Sequence, residues 1–320
     1  MKLHEFCDFL LEIKERDCKR TTIAHYRNVM KYICEYFGDR ELESLTVFDM
    51  DEFLLHLSKC SIHSTSTGRK LSSVTQRNYA NCLKHVISEA YRKDLIPKNV
   101  FLAATRPRNR KVKPKVITKS DLHDVLKISQ QNESLMWKVM THLFLNTGKR
   151  RGEILALDWT DINFKTNEIS FCRSYNYDGS HAYFSTTKSE KESIVFISES
   201  LKRLLLDYYV FTKNIFSDRE MPACLFYNSK TGRRLHPTSV TRHYGTLSKK
   251  NCIKNVYPHK FRHTVASILF ESGVDAQTIA AQLDHSNASF TLKQYVHTFD
   301  PKLLSKNCEI LQEEIEKSKS

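Results

Sequence analysis

Thr147-Gly-Lys-Arg-Arg-Gly-Glu153 and His259-Lys-Phe-Arg-His-Thr264 are the stretches on which the reading of this chain turns. In the first, Gly148 tolerates positive φ and permits a sharp entry into the next element. Arg150 and Glu153 stand three residues apart, which puts them on one face of a helical turn and lets the acid orient the guanidinium. The second stretch repeats that spacing between His259 and Arg262, with Pro258 just before it, a residue suited to the first position of a helix. Both side chains then project from the first turn, at the end where the helix dipole favours an anion. Two further stretches concentrate reactive groups: Thr187-Lys-Ser189, and Leu283-Asp-His285 with Tyr295 ten residues on. Singly, each has a plain structural reading: a solvated basic turn at Arg150, a cap or satisfied histidine at His259 or His285, a half-buried helix tyrosine at Tyr295. It is their joint order that carries weight.

The composition asks for an anionic partner as well. Lysine and arginine number 50 against 36 acids, a formal charge of +14, and such an excess points to a polyanion, most often nucleic acid. A length of 320 residues is enough for about two ordinary domains. The 18 Phe and 14 Tyr supply apolar mass for two cores, which excludes wholesale disorder. No run approaches the roughly 18 apolar residues of a membrane span, and the opening segment MKLHEFCDFLLEIKERD sets acids where a signal peptide is apolar. The expectation is a soluble, cytoplasmic protein with no membrane partner. Nine cysteines scattered from Cys7 to Cys308, with no CxxC pair, fit reduced thiols better than a disulfide framework or a zinc knuckle. No set of carboxylates has the spacing to hold two magnesium ions, so neither a metal nor another cofactor is expected.

Charge is unevenly divided. Residues 1–105 carry 16 basic and 14 acidic side chains, and residues 106–320 carry 34 and 22. Half of the second segment's net +12 lies in Arg106-Pro-Arg-Asn-Arg-Lys-Val-Lys-Pro-Lys115, which has six basic residues, two prolines and no acid. It reads as an extended cationic strap. Arg106, Arg108, Arg110, Lys111, Lys113 and Lys115 repel one another unless an anion lies beneath them. The expected organisation is a domain over residues 1–105, a basic linker over 106–117, a second domain over 118–300 and a C-terminal helix over 301–320.

In the first domain the apolar spacing is helical, as in Leu3, Phe6, Leu10 and Ile13, or Val74, Tyr79, Leu83, Val86 and Ile87, and a small bundle follows. Lys70 and Arg77, near a helix start, are placed to face phosphates, although each alone reads as a solubilising surface charge. Beyond the strap, Thr118-Lys-Ser-Asp121 has N-cap chemistry. Helical spacing returns over 135–145, 201–211, 239–249, 259–270, 276–283 and 289–295. Three stretches have strand character: Glu168–Phe171, His181–Ser185 and Ser193–Ile197, with turn residues such as Tyr177-Asp-Gly-Ser180 between them. They are expected to form one small antiparallel sheet in a fold that is mainly α (α+β).

The ordered motifs resemble the tyrosine recombinases of the phage integrase and Xer type, whose patterns are TGxRxxE, a sheet lysine, HxxRH, LGH and a nucleophilic tyrosine. The resemblance implies the DNA breaking-rejoining enzyme fold for the second domain and a SAM-like core-binding bundle for the first. Position by position it makes Arg150 and Arg262 the phosphate-binding arginines, Lys188 the lysine of the β-hairpin, His259 and His285 the active-site histidines and Tyr295 the nucleophile, with Glu153 and His263 in supporting places. Asp284 departs from the pattern by occupying the glycine of LGH. Aspartate visits the left-handed region at modest penalty, but its charge is expected to repel a DNA phosphate or raise the pKa of His285. Lys260 and Phe261 stand in place of the more usual acid and leucine.

The chemistry asks independently for this set. Attack on a phosphodiester adds negative charge to its equatorial oxygens, and two planar guanidinium groups aimed there stabilise that charge. A tyrosine, with reference pKa near 10, needs a cationic field or a base to attack. The leaving 5′ oxygen needs a general acid, either Lys188 or His285. A 3′-phosphotyrosyl link conserves the bond energy, so strands rejoin without ATP. The implied activity is site-specific recombination or integration of double-stranded DNA by a compact Xer-like recombinase or mobile-element integrase. Type IB topoisomerase-like relaxation and an inert DNA-binding regulator of the same fold are the alternatives. The resemblance also implies a clamp around duplex DNA, four protomers on two sites and accessory directionality factors. In residues 301–320, Leu304, Cys308, Leu311 and Ile315 form an apolar stripe that packs either on its own domain or on a neighbouring protomer.

Overall fold

The computed structural model describes residues 1–60, 70–105, 117–186, 192–254 and 256–284. The chain divides into two compact units. The first contains α1 (Leu3–Asp17), α2 (Arg20–Phe37), α3 (Val47–Lys59) and α4 (Ser73–Arg92), with 3-10 turns at Leu42–Ser44 and Val100–Ala103. Their apolar rows meet in one core, where Phe6 of α1, Met30 and Ile33 of α2, Phe53 of α3, Leu83 and Ile87 of α4 and Phe101 are buried together. Each such side chain contributes roughly 1.5–3 kcal/mol on burial, so packing rather than helix propensity holds the bundle. At the start of α3 the Asp49 carboxylate accepts from the Thr46 backbone N–H and from Arg40, each at 2.8 Å, and Thr46 Oγ1 accepts from the Asp49 N–H at 3.3 Å. Burial opposes the charge on Asp49, but the bonds from Thr46 and Arg40 outweigh it and hold the carboxyl below its usual range. Lys70 is exposed and Arg77 half-buried, in the second turn of α4 behind the N-cap Ser72.

The second unit begins with α5 (Lys119–Gln131), α6 (Leu135–Thr147) and α7 (Arg151–Ala156). Thr118 caps α5, its Oγ1 accepting from the Asp121 N–H at 3.0 Å, as its sequence chemistry requires. Five strands follow: β1 (Ile162–Asn163), β2 (Glu168–Phe171), β3 (Arg173–Tyr177), β4 (Ala182–Thr186) and β5 (Ser193–Phe196). The helices that follow among the described residues are α8 (Glu199–Ile215), α9 (Pro237–Lys250), α10 (Pro258–Glu271) and α11 (Ala276–Leu283). α6 runs through the core: Val139, Met140, Leu143 and Phe144 are fully buried, with Tyr208 of α8, Tyr244 of α9 and Phe261 of α10 around them. The buried Tyr244 hydroxyl is satisfied by Thr141 Oγ1 at 2.9 Å.

The fold is mainly helical with a small antiparallel three-stranded sheet, as the sequence suggests, but the strand partners differ from those expected. The sheet is β1-β2-β5, with Ile169 opposite Ile162 on one side and Val195 on the other. Residues 182–186 do not join it. They pair with β3 in a separate hairpin, where Tyr175 faces Phe184. β1 has two residues and β3 shows no alternation of burial, all five of its residues being half-buried, so neither has a period-2 signal. Among the described residues no helix is long and apolar enough to cross a membrane.

Candidate active site

A short turn between α6 and α7 brings the first arginine into place. Gly148 ends α6 in the left-handed region at φ 63°, and a Cβ there would run into Leu283 and stand 3.3 Å from Val265 Cγ1. Only glycine lets the end of α6 lie this close to α10 and α11. Arg150 is the N-cap of α7. Glu153, 1% exposed, accepts from the Arg150 backbone N–H at 2.8 Å through Oε2 and from Arg150 Nη1 at 2.7 Å through Oε1. These charge-assisted bonds fix the guanidinium, as the three-residue spacing anticipates. Gly152 lets α7 approach β3, since a Cβ would stand 3.1 Å from the Tyr175 carbonyl oxygen.

The second arginine comes from α10. Arg262 is 3% exposed; its Nη1 donates to the Gly148 carbonyl at 3.1 Å and its Nη2 to the Leu283 carbonyl. Arg150 Nη2 donates to the next carbonyl, that of Asp284, at 3.2 Å. A helix end leaves its last carbonyls without intrahelical partners. At the end of α11 two consecutive ones are held by the two guanidinium groups that the sequence motifs single out. His259 is exposed and His263 half-buried on the first turns of α10, their rings 4.5 Å apart and edge-on. Lys260 is buried, its ammonium 5.7 Å from the Tyr257 ring centre. Lys188, His285 and Tyr295 lie outside the described residues, as do Arg106, Arg108, Arg110, Lys111, Lys113 and Lys115. Lys70 and Arg77 belong to the first unit.

Asp284 adopts the left-handed conformation expected of a residue in the place of a glycine, with φ 51° and ψ 48°. Its carboxylate has a counter-charge that the sequence reading did not assign to it. The carboxylate pairs with the ammonium of Lys149, whose side chain is fully buried. Lys149 Nζ also donates to Ser193 Oγ at 2.5 Å and lies 5.2 Å from the centre of the Phe171 ring. Burial pushes the ammonium below the ordinary lysine value, with the Asp284 carboxylate working against that shift. Sequence reasoning missed Lys149, which looks like part of a solvated run with Arg150 and Arg151. An acid at a position suited to glycine was the available signal, because a carboxylate there needs a counter-charge. Arg151 is not free in solvent either; its Nη1 donates to Thr241 Oγ1 at 2.6 Å. Among the described residues no group of three or more His, Cys, Asp or Glu side chains is arranged to hold a metal ion.

Residues 115–301 match the phage integrase family and residues 2–109 the phage integrase SAM-like domain. The chain belongs to the phage integrase family. It is 26% identical over 315 residues to a tyrosine recombinase of Pseudothermotoga lettingae, covering 97% of this chain and 98% of that protein. It is also 26% identical to the ICEBs1 integrase of Bacillus subtilis, over 87% of this chain and 75% of that one. In fold it is similar to a Tn1549 transposon integrase in complex with transposon right end DNA, with a TM-score of 0.78 at 20% identity, covering 98% of this chain and 100% of that one. A lambda integrase tetramer bound to a Holliday junction gives a TM-score of 0.67 at 17% identity, covering 91% of this chain and 77% of that one.

Proposed function

We propose that this protein is a site-specific DNA recombinase that cuts and rejoins duplex DNA through a 3′-phosphotyrosyl intermediate on Tyr295. The observation that carries the proposal is the meeting of Arg150 and Arg262 at the last two carbonyls before His285. Two fixed guanidinium groups at one point suit an oxyanion that gains charge in the transition state, and being pre-oriented they need no rearrangement when that charge develops. Arg150, held by Glu153, and Arg262, held by Gly148 and Leu283, bind the non-bridging oxygens of the scissile phosphate. Their field and His259 lower the cost of ionising the Tyr295 phenol. Lys188 protonates the departing 5′ oxygen, with His285 the other candidate for that proton. His263 supports its neighbours on α10.

Residues 1–105 are assigned to binding the core DNA site, 106–117 to a basic linker and 118–300 to catalysis. The six cations of the strap, with Lys70 and Arg77, contact backbone phosphates, which give affinity but not sequence selection. Relatives crystallised as a dimer on a core site and as a tetramer on a Holliday junction support assembly of four protomers on two sites, with residues 301–320 packing against a neighbour. Nine cysteines without a CxxC pair suit a reduced cytoplasm.

The test uses DNA flanking the protein's own gene. Purified protein is incubated with nicked duplexes from that region, in which the fragment beyond the cut diffuses away and traps the adduct. A covalent complex that survives denaturation, together with strand exchange between paired sites, is expected. Relaxation of supercoils at many sequences without exchange would select the topoisomerase reading instead, and binding with no covalent product would select the regulator.

A further inference from the structure

Lys149 is a charged side chain with no solvent exposure, and lysine is almost never buried without a partner. Its contacts tie together the loop between α6 and α7, Phe171 at the end of β2, Ser193 at the start of β5 and Asp284 at the end of α11. Burying an ion pair carries a desolvation penalty that an apolar replacement avoids. The turn itself does not need the pair, because glycine makes a left-handed C-cap with no side chain at all. Once an aspartate occupies that position, what Lys149 supplies is the counter-charge that keeps residue 284 where the turn puts it. That residue's carbonyl accepts from Arg150, and the carbonyl of the residue before it accepts from Arg262. The loop that carries Lys149 also carries the Gly148 carbonyl that accepts from Arg262. One residue therefore joins the two segments whose carbonyls hold both guanidinium groups. Without it, the Asp284 carboxylate would be left beside two arginines and would draw a guanidinium to itself.

We propose that Lys149 is a positioning residue: by neutralising and anchoring Asp284 it keeps the end of α11 in register with the α6–α7 loop, so that Arg150 and Arg262 stay aimed at the scissile phosphate. This rests on the recombinase reading above. With its side chain fully buried, Lys149 offers no surface to DNA and acts through Asp284. The two residues should behave as a unit, each harmful to change alone and tolerable to change together.

The experiment is a double-variant cycle of wild type, K149M, D284G and K149M/D284G. Duplex binding, thermal unfolding and single-turnover adduct formation are followed on the nicked duplex that wild type cleaves. Adduct formation by wild type tests the recombinase reading separately, and the unfolding cycle needs no DNA at all. A misplacement near 1 Å costs about 100-fold in rate, so K149M should lower the rate constant by about that factor while duplex affinity stays within about threefold. A purely structural role would instead lower the amplitude, that is the folded fraction, and leave the rate constant of the remaining molecules unchanged. The double variant should recover most of the rate and of the thermal stability, because no orphaned charge is left and glycine suits the left-handed position. Should K149M not fold, D284G against K149M/D284G decides: adding K149M should improve both readouts. Equal losses from K149M in both backgrounds, or a loss of amplitude alone, would overturn the proposal.

Discussion

Replacing Glu153 by glutamine keeps the shape of the side chain and changes only what it offers to Arg150. The carboxylate accepts two bonds, at 2.8 Å from the Arg150 backbone N–H and at 2.7 Å from Nη1. An amide has one oxygen, so glutamine keeps one bond and turns an NH2 donor against the other donor. A hydrogen bond to a charged group is worth about 1.5–3 kcal/mol. The guanidinium also loses its counter-charge at a carboxylate that is 1% exposed, although Arg150 at 26% exposure recovers some hydration. The net loss is about 2 kcal/mol, equivalent to roughly 30-fold in rate if all of it falls on the orientation of Arg150. Both tryptophans, Trp137 and Trp159, pack against the core of the second unit, so their fluorescence in urea follows that unit alone. The unfolding midpoint of E153Q should fall by the equivalent of that energy, and adduct formation should slow with little change in duplex affinity. An unfolding free energy within about 0.5 kcal/mol of wild type, with an unchanged cleavage rate, would show that Glu153 does not orient Arg150.

Three other outcomes follow from the same structure. G152A puts a methyl group against the backbone of β3, and the resulting strain of about 1–3 kcal/mol should lower the same fluorescence midpoint. In the first unit, D49N should destabilise α3 at neutral pH, measured by hydrogen exchange of its amides, by about 1 kcal/mol. Because the folded carboxyl titrates below its unfolded value, that contribution is present above about pH 3.9 and lost as pH falls through the lower folded value. The gap between D49N and wild type should therefore close in acid, and a gap that persists there would refute the assigned cause. DNA affinity should fall by about 1000-fold between 50 and 200 mM salt if the six strap cations each meet a phosphate. Neutralising Arg106, Arg108 and Arg110 should reduce the logarithmic salt slope by about three.

Much of the helical fold was legible because long amphipathic helices advertise themselves in one period. α4, α8 and α10 each bury a row that can be picked out from spacing alone, and Thr118 declares the start of α5 by its chemistry. α7 is legible only as the turn that spaces Arg150 from Glu153, since six residues span less than two turns and carry too little periodicity to mark its extent. The strands are legible where side chains alternate, yet alternation contains no statement about partners, so the stretch 181–185 reads as part of a sheet that the observed β4 (Ala182–Thr186) does not join. At the site, Arg150 with Glu153, and His259 with Arg262, are readable because a three-residue spacing places each pair on one helical turn. Lys149 is not, because its burial depends on an acid 135 residues away, and nothing local distinguishes a buried lysine from its exposed neighbours.

The covalent link to Tyr295 is where the central claim is most directly exposed. Wild-type protein and Y295F are each incubated with the nicked duplex, the DNA is digested, and the remaining peptide is sequenced by mass spectrometry. Wild type should yield one peptide carrying a nucleotide 3′-phosphate on Tyr295, and Y295F should yield none while binding the duplex with unchanged affinity. An adduct on a different residue, or strand cleavage by Y295F at the wild-type rate, would contradict it.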